Sequence, residues 1–361
     1  MTVPTPVPDP WVGILLGQRL GPYEVLRHIS EGGFGHVFEA RHATTGALVA
    51  VKVLKVSPSA EATIEFENEA VLLRQLSGCD GVINFVDFGV GKVDIHIVGG
   101  VMPVDVRYLV LSRASGSLDE ISRDPVSRDD LSLADKLRLW RDVIKGLRQM
   151  HAGGVVHRDL KCSNCLLFVR GNLSAVRLGD LGRSKDLALP ITKTLEHYVL
   201  GRGDVRFAAP EYLYLLGEPT AKEAIAADYY GLGSILVELI TGQSMTSLAF
   251  SDIYSVIDQA KIDYFAGRSR DLSVLVGRYT SVTADIVALL PPSVRFDTSV
   301  ILGQLCHPLP GRRSQPSPFR RDRLDRDGLH WILKRVDIMI KQLDIEARAE
   351  RRITNTERKS A

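Results

Sequence analysis

Cysteine is scarce in this chain. Four occur in 361 residues, at positions 79, 162, 165 and 306. That is too few for a dense disulfide framework and points to a reducing compartment, hence a cytoplasmic location. Excess charge is missing too. There are 45 Lys and Arg against 43 Asp and Glu, a formal net charge of +2. Such a balance makes no electrostatic case for nucleic acid or a membrane surface as a partner. No uninterrupted apolar run reaches the ~18 residues of a membrane span. The opening Met1–Pro10 carries Pro at 4, 6, 8 and 10 but no basic segment followed by an apolar one, so no signal peptide is expected. Internal repeats are not evident. What is present is ordinary globular composition, 45% hydrophobic and 24% charged, enough for a sizeable core in one large domain or two modest ones. The Arg- and Lys-rich stretch from Arg312 onward is a local exception. A solvated face explains it first and a polyanion second.

The pattern along the chain predicts an α+β protein. Residues 1–18 read as a Pro-rich, loosely ordered lead-in. Strand signals dominate from Tyr23 to Leu111, with a hairpin at Thr44-Thr45-Gly46 and one interrupting helix from Glu61 to Leu76. From Ser115 onward the pattern is helical. Ser132 can cap a helix whose apolar stripe runs Leu133, Leu137, Trp140, Ile144, Leu147 and His151, ended by Gly153-Gly154. Tyr229–Ile240 is apolar nearly all round, as a buried helix is. Leu329, Ile332, Val336, Ile340 and Leu343 mark a last amphipathic helix, followed by a charged, frayed tail over 344–361.

Several residues carry chemistry. Gly32-Gly33-Phe34-Gly35 lies between two strands, and glycines let backbone N–H groups approach phosphate oxygens; a plain hairpin turn explains it equally well. On the next strand, period-2 alternation puts Ala50 and Lys52 on one face. Glu69, Leu73 and Leu76 share a helical stripe that the leucines turn inward. A carboxylate there needs a partner, and Lys52 is the natural one, though Glu65 and Glu67 remain available. The densest cluster is His157-Arg158-Asp159-Leu160-Lys161-Cys162-Ser163-Asn164, followed by Asp180-Leu181-Gly182. Phosphoryl transfer needs a group to orient the attacking hydroxyl, cations near the moving phosphoryl group, and metal ions. Asp159 can orient the hydroxyl, Lys161 can reach the phosphoryl group, and Asn164 and Asp180 offer the oxygen ligands that suit Mg²⁺. Cys162 and Cys165 form a C-x-x-C. With no second pair to complete a zinc site, buried thiols are the simpler reading.

In order, the glycine turn, the strand Lys, the helix Glu, H-R-D-L-K-x-x-N, Asp-x-Gly and Ala209-Pro210-Glu211 resemble the eukaryotic-like (Hanks-type) protein Ser/Thr kinases, which also occur in bacteria. The likeness runs from about Tyr23 to Gly242 and fades from 245. The resemblance implies a bilobal, protein-kinase-like fold, with an N-lobe over 19–111, a hinge at 112–117 and a C-lobe over 118–343. It implies ATP with Mg²⁺, or Mn²⁺, as cofactors and a protein as substrate. By position, Gly32, Gly33 and Gly35 would cover the phosphates. Val37, Ala50 and Leu166 would sandwich the adenine, and Leu111 to Ala114 would hydrogen-bond it. Lys52 would pair with Glu69 and hold phosphates. Asp159 would be the base, Asn164 and Asp180 the metal ligands, and Asp228 the brace of the catalytic loop. Glu211 would pair with an Arg, for which Arg312 and Arg313 are the candidates.

Departures from the family pattern are Ser30 for the first loop glycine, Leu181 for Phe, and Asp204 where Thr is usual. A carboxylate at 204 beside Asp159 leads to the expectation of a bridge centred on Lys161. Residues 183–208 resemble an activation loop. Thr192 and Thr194 are the expected autophosphorylation sites, and Arg158 can receive the phosphate. The divergent region 245–361 is the expected place for a regulatory protein. Two alternatives stay open: a pseudokinase that binds nucleotide without turnover, and a small-molecule kinase of related fold.

Overall fold

The strands and helices fall into two compact units, Met1–Ser115 with Asp180–Ser184, and Gly116–Gly179 with Lys185–Ala361. A computed structural model describes residues 9–32, 35–55, 58–97, 100–171, 173–190, 204–313 and 328–360. The N-terminal part is rich in sheet and the C-terminal part is helical, the α+β class the sequence pattern predicts.

The N-terminal unit holds α1 (Pro10–Leu15), β1 (Arg19–Leu20), β2 (Tyr23–Glu31), β3 (Gly35–His42), β4 (Leu48–Leu54), α2 (Ala60–Gln75), β5 (Phe85–Ile97) and β6 (Gly100–Ser112). The strands form one antiparallel sheet in the order β1-β2-β3-β4-β6-β5. Register decides which residues share a face. Val37 lies opposite Lys52 and Glu39 opposite Ala50, while Ala50 and Lys52 lie opposite Leu111 and Leu109. With a side-chain period of two, those six residues line one face. The other face carries Phe38, Ala40, Val49, Val51, Val53, Tyr108 and Val110, all buried.

That second face corrects the expectation of a loose lead-in for residues 9–18; residues 1–8 lie outside the described residues. Trp11 and Leu15 are 5% and 0% exposed and belong to the same apolar cluster as the sheet. Pro10 opens the helix, where its missing N–H costs nothing, and Asp9 Oδ1 accepts the Trp11 N–H at 3.0 Å. Proline content suggested disorder, but two apolar side chains at i and i+4 found a sheet to cover.

Strands β5 and β6 run for 13 residues each, well beyond the usual strand length. The sheet also curls. A Cβ on Gly91 of β5 would lie 2.9 Å from the Leu20 side chain of β1. Helix α2 starts where expected, with Ser59 Oγ accepting the Ala62 N–H at 3.1 Å. Its buried residues Phe66, Glu69, Ala70 and Leu73 follow helical spacing.

The C-terminal unit contains β7 (Gly116–Ser117), α3 (Leu118–Arg123), α4 (Pro125–Asp130), α5 (Leu133–Ala152), β8 (Val155–Val156), β9 (Cys165–Arg170), β10 (Leu173–Leu178) and β11 (Lys185–Asp186). It continues with α6 (Pro210–Leu213), α7 (Ala221–Thr241), α8 (Met245–Ala249), α9 (Ile253–Phe265), α10 (Val276–Ala288), α11 (Pro292–Leu305) and α12 (His330–Ser360). The expected cap of α5 is present, with Ser132 Oγ accepting the Asp135 N–H at 3.1 Å. The β9–β10 hairpin was not expected in a helical stretch. Its β-branched and aromatic content is slight, and pairing across the hairpin defines it.

Helix α7 carries an 18-residue window of mean hydropathy 1.3, long and apolar enough to cross a membrane, although no unbroken apolar run is that long. Of that window, 78% is buried within the protein, as in a core helix. Helix α12 also departs from expectation, because it continues through the supposed frayed tail. Asp344 accepts two hydrogen bonds from Arg138 Nη2, at 2.7 and 2.6 Å, and Glu346 accepts from Ser293 Oγ at 3.0 Å.

Candidate functional site

The residues singled out from the sequence fall into two groups, one in each unit. In the N-terminal unit, Lys52 projects from β4 and Glu69 from α2. Lys52 Nζ lies 2.6 Å from Glu69 Oε2 and 2.8 Å from Asp180 Oδ1. Of the carboxylates available on α2, Glu69 is therefore the partner. Burial by itself would lower the Lys52 pKa, but the charges of Asp180 and Glu69 outweigh it and hold the ammonium well above its ordinary value. Lys52 stays charged at neutral pH. Burial raises the Glu69 carboxyl against the pull of Lys52.

Asp180 is placed by backbone geometry. Its φ is 57°, a left-handed conformation that Asp tolerates better than most residues. The following turn is fastened to α2. Glu69 Oε1 accepts the Leu181 N–H at 3.3 Å, and Asn68 Nδ2 donates to the carbonyls of Gly182 and Ser184 at 3.0 and 2.9 Å. Asn68 escaped the sequence reading, although a polar residue beside an inward Glu is a usable signal. Leu181 is fully buried, so Leu fills an apolar position here.

Val37, Ala50 and Leu111 share the Lys52 face, and Ala114 follows β6, half-buried. Glu39 joins them on that face, with its carboxylate on Arg27 and Arg113. Gly35 has a structural reason to be glycine. A Cβ there would lie 2.2 Å from the Val53 carbonyl oxygen. Gly32 donates its N–H to the Gly35 carbonyl at 2.8 Å. Gly33 lies outside the described residues, as do Thr192 and Thr194.

In the C-terminal unit, Asp159 sits in a net of donors. Asn164 Nδ2 donates to the Asp159 carbonyl at 2.7 Å and to Oδ2 at 3.2 Å, and Lys161 Nζ lies 3.1 Å from Oδ2. Arg158 takes a left-handed φ of 64°. That strain is compensated by Asp228, the buried residue near the start of α7. Its carboxylate accepts the N–H groups of His157 and Arg158 at 2.8 and 2.7 Å, and lies 2.8 Å from His151 Nε2. Burial alone would raise the Asp228 carboxyl, but His151, His157 and the backbone donor hold it below the usual carboxylate range. His151 was read from the sequence only as part of an apolar stripe. A histidine on an inward stripe needs a polar partner, and that was the available signal. His157 Nε2 also reaches the Gly179 carbonyl at 3.1 Å. Leu166 is half-buried on β9.

The expected Lys161-centred bridge is not formed. Lys161 lies on Asp159, while Asp204 pairs with Arg206, through Nε at 2.9 Å and Nη2 at 2.7 Å. Burial would raise the Asp204 carboxyl, and Arg206 outweighs it, so the carboxyl is held low. A planar guanidinium two residues away offers two matched donors, which a lysine cannot. Glu211 pairs with Arg313, not Arg312. Arg313 Nη1 and Nη2 donate to Oε1 and Oε2 at 2.8 and 2.7 Å. Cys162 and Cys165 are buried free thiols. Burial, then Glu238, raises both above their ordinary values, which makes them unreactive.

The protein kinase domain family matches residues 23–282, more than half of the chain. A probable serine/threonine-protein kinase of Clostridium perfringens is 29% identical over 64% of this chain and 30% of its own length. Cyclin-dependent kinase G-2 of Oryza sativa is 29% identical over 67% of this chain and 31% of its own. A probable cell division protein kinase of Encephalitozoon cuniculi is 26% identical over 71% of this chain and 78% of its own. The chain thus spans about a third of the length of the first two of these relatives.

Proposed function

The chain belongs to the protein kinase family, whose domain works with ATP, a divalent metal and protein substrates, and we propose that it transfers the γ-phosphoryl group of Mg-ATP to Ser or Thr hydroxyls of proteins. The observation that carries this reading is Asp159, held by Asn164 and by Lys161 at 3.1 Å. Asp159 orients the acceptor hydroxyl and takes its proton. Lys161, 3.1 Å from that carboxylate, lies ready for phosphoryl charge. Lys52, charged and fixed by Glu69, holds nucleotide phosphates. Val37, Ala50 and Leu111 supply apolar side chains on the Lys52 face, which a purine ring requires.

The donors fit a hard dication. Asp180 is 47% exposed at its side chain with one oxygen on Lys52, and Asn164 turns its amide nitrogen to Asp159, so that its Oδ1, which accepts from Ser163 Oγ at 3.5 Å, is the atom a dication would take. Asn164 and Asp180 would hold Mg²⁺, which when bound neutralises phosphate charge. Lys161 follows the Ser/Thr pattern of the family. The proposal extends to autophosphorylation within 183–208, to a regulatory protein at 245–361, and to a cytoplasmic setting that suits four free thiols.

The test is transfer of radiolabelled phosphate from ATP to protein and small-molecule acceptors side by side. Asp159→Asn should lower protein labelling by roughly 10²–10⁴-fold. Unchanged labelling would defeat the assignment, and labelling of small molecules alone would replace the protein acceptor. Mass spectrometry after ATP incubation should find phosphate on Thr192 or Thr194. A phosphorylated substrate with an unmodified loop would remove autophosphorylation from the proposal.

A further inference from the structure

The glycine turn has a second cluster beside it, on the sheet face opposite Lys52. Glu31 ends β2 and His36 lies directly across from it on β3. Asp9, just before α1, joins them. One ligand atom from each of Asp9, Glu31 and His36 lies within 4.8 Å of the other two.

We propose that Asp9, Glu31 and His36 bind a d-block dication of the Zn²⁺ class. Three features of the cluster argue for it. His36 is 0% exposed, and its Nε2 points at Asp9 Oδ2 from 3.0 Å. The other ring nitrogen, Nδ1, faces His28 Nε2 at 3.4 Å. When Nδ1 donates its proton to His28, Nε2 is free for the ion, the arrangement a metal-ligating histidine commonly takes. Asp9 divides its carboxylate. Oδ1 accepts from the Trp11 N–H and Oδ2 lies on His36 Nε2, so an ion that displaces the proton between Nε2 and Oδ2 would take both atoms as ligands.

Imidazole with two carboxylates suits Zn²⁺ and its neighbours better than Mg²⁺. Tetrahedral donors at ~2 Å from the ion lie about 3.4 Å apart, so the cluster needs to close by about an ångström. Glu31 and Asp9 are partly exposed, which admits water to the fourth position. Lys55 now pairs with Glu31 and yields that carboxylate, or shares it, when the ion binds. The ion would join the N-terminal helix to both strands that flank the turn.

The experiment is calorimetric titration of the chelator-treated chain with Zn²⁺, without nucleotide, paired with Co²⁺ absorption spectra. One equivalent should bind, with a Co²⁺ spectrum free of thiolate charge-transfer bands. Affinity should fall at least tenfold in Glu31→Gln, a surface change that leaves folding intact, and in Asp9→Asn and His36→Gln. His28→Gln should weaken binding by a smaller factor. Absence of saturable binding, or binding unchanged in Glu31→Gln and Asp9→Asn, would overturn the proposal. A thiolate band would assign the metal to cysteine and overturn it as well.

Discussion

Two ion-pair clusters, one in each unit, handle charge in opposite ways. Around Arg313 every donor is used. Nε donates to the His307 carbonyl at 2.6 Å, Nη1 to Glu211 and the Ala226 carbonyl, and Nη2 to Glu211 and the Pro308 carbonyl. The two side chains are 0% and 2% exposed. Around Lys52 a single ammonium is shared by two carboxylates, and one of them, Asp180, stays half open to solvent. A saturated, buried pair leaves nothing for a ligand and serves the fold. A shared cation beside an open carboxylate keeps charge available, which is what phosphate and metal need.

The largest way to break this contrast is Arg313→Met. It strands Glu211 in a buried site, at a cost of about 3–5 kcal/mol, read as a lowered urea midpoint. Arg313→Met with Glu211→Met should recover much of that loss. A single variant of unchanged stability would show that the pair is not structural. Next is Lys52→Met, which should lower phosphoryl transfer by roughly 10²–10³-fold, the scale of one lost electrostatic donor. Its thermal midpoint should move far less than that of Arg313→Met, because the raised Glu69 carboxyl can take up a proton. If Lys52→Met unfolds the protein, the distinction between the clusters fails.

Asp228 gives the smallest effect and the sharpest pH signature. It is buried like Glu211, yet it serves a loop near the chemistry. Its folded carboxyl is held below the ordinary value. The stability it contributes is therefore complete above the ordinary carboxylate pKa of ~3.9 and is lost as pH falls through the folded value. Wild type should exceed Asp228→Asn in urea midpoint at pH 6, with the gap narrowing below about pH 4. A gap that widens on acidification would reverse the assignment.

Much of this was legible in the chain because it depends on short-range order. Alternation on β4 put Ala50 and Lys52 on one face, helical spacing turned Glu69 inward, and residues 157–164 with Asp180 carried their chemistry in their types. Ser132 and Gly153 marked the ends of α5 by local hydrogen-bonding rules. The misses have a common cause. Trp11 and Leu15 looked like part of a loose proline-rich lead because what they cover lies in other strands. Asp204 is the exception: its partner Arg206 lies two residues away and was a local signal. His151 and Asn68 looked ordinary until the groups they bind, distant in sequence, came within 3 Å.

The strand-rich then helical order, the family likeness and the chemical types at Lys52, Glu69, Asp159, Asn164 and Asp180 could be read in the chain alone. These depend on backbone propensity and side-chain chemistry, which are local. Which partner each charge took came from packing: Glu69 for Lys52, Arg313 over Arg312 for Glu211, and Asp9 for His36. Pairing energy falls steeply with distance and desolvation, and both are set by the packing of segments far apart in the chain.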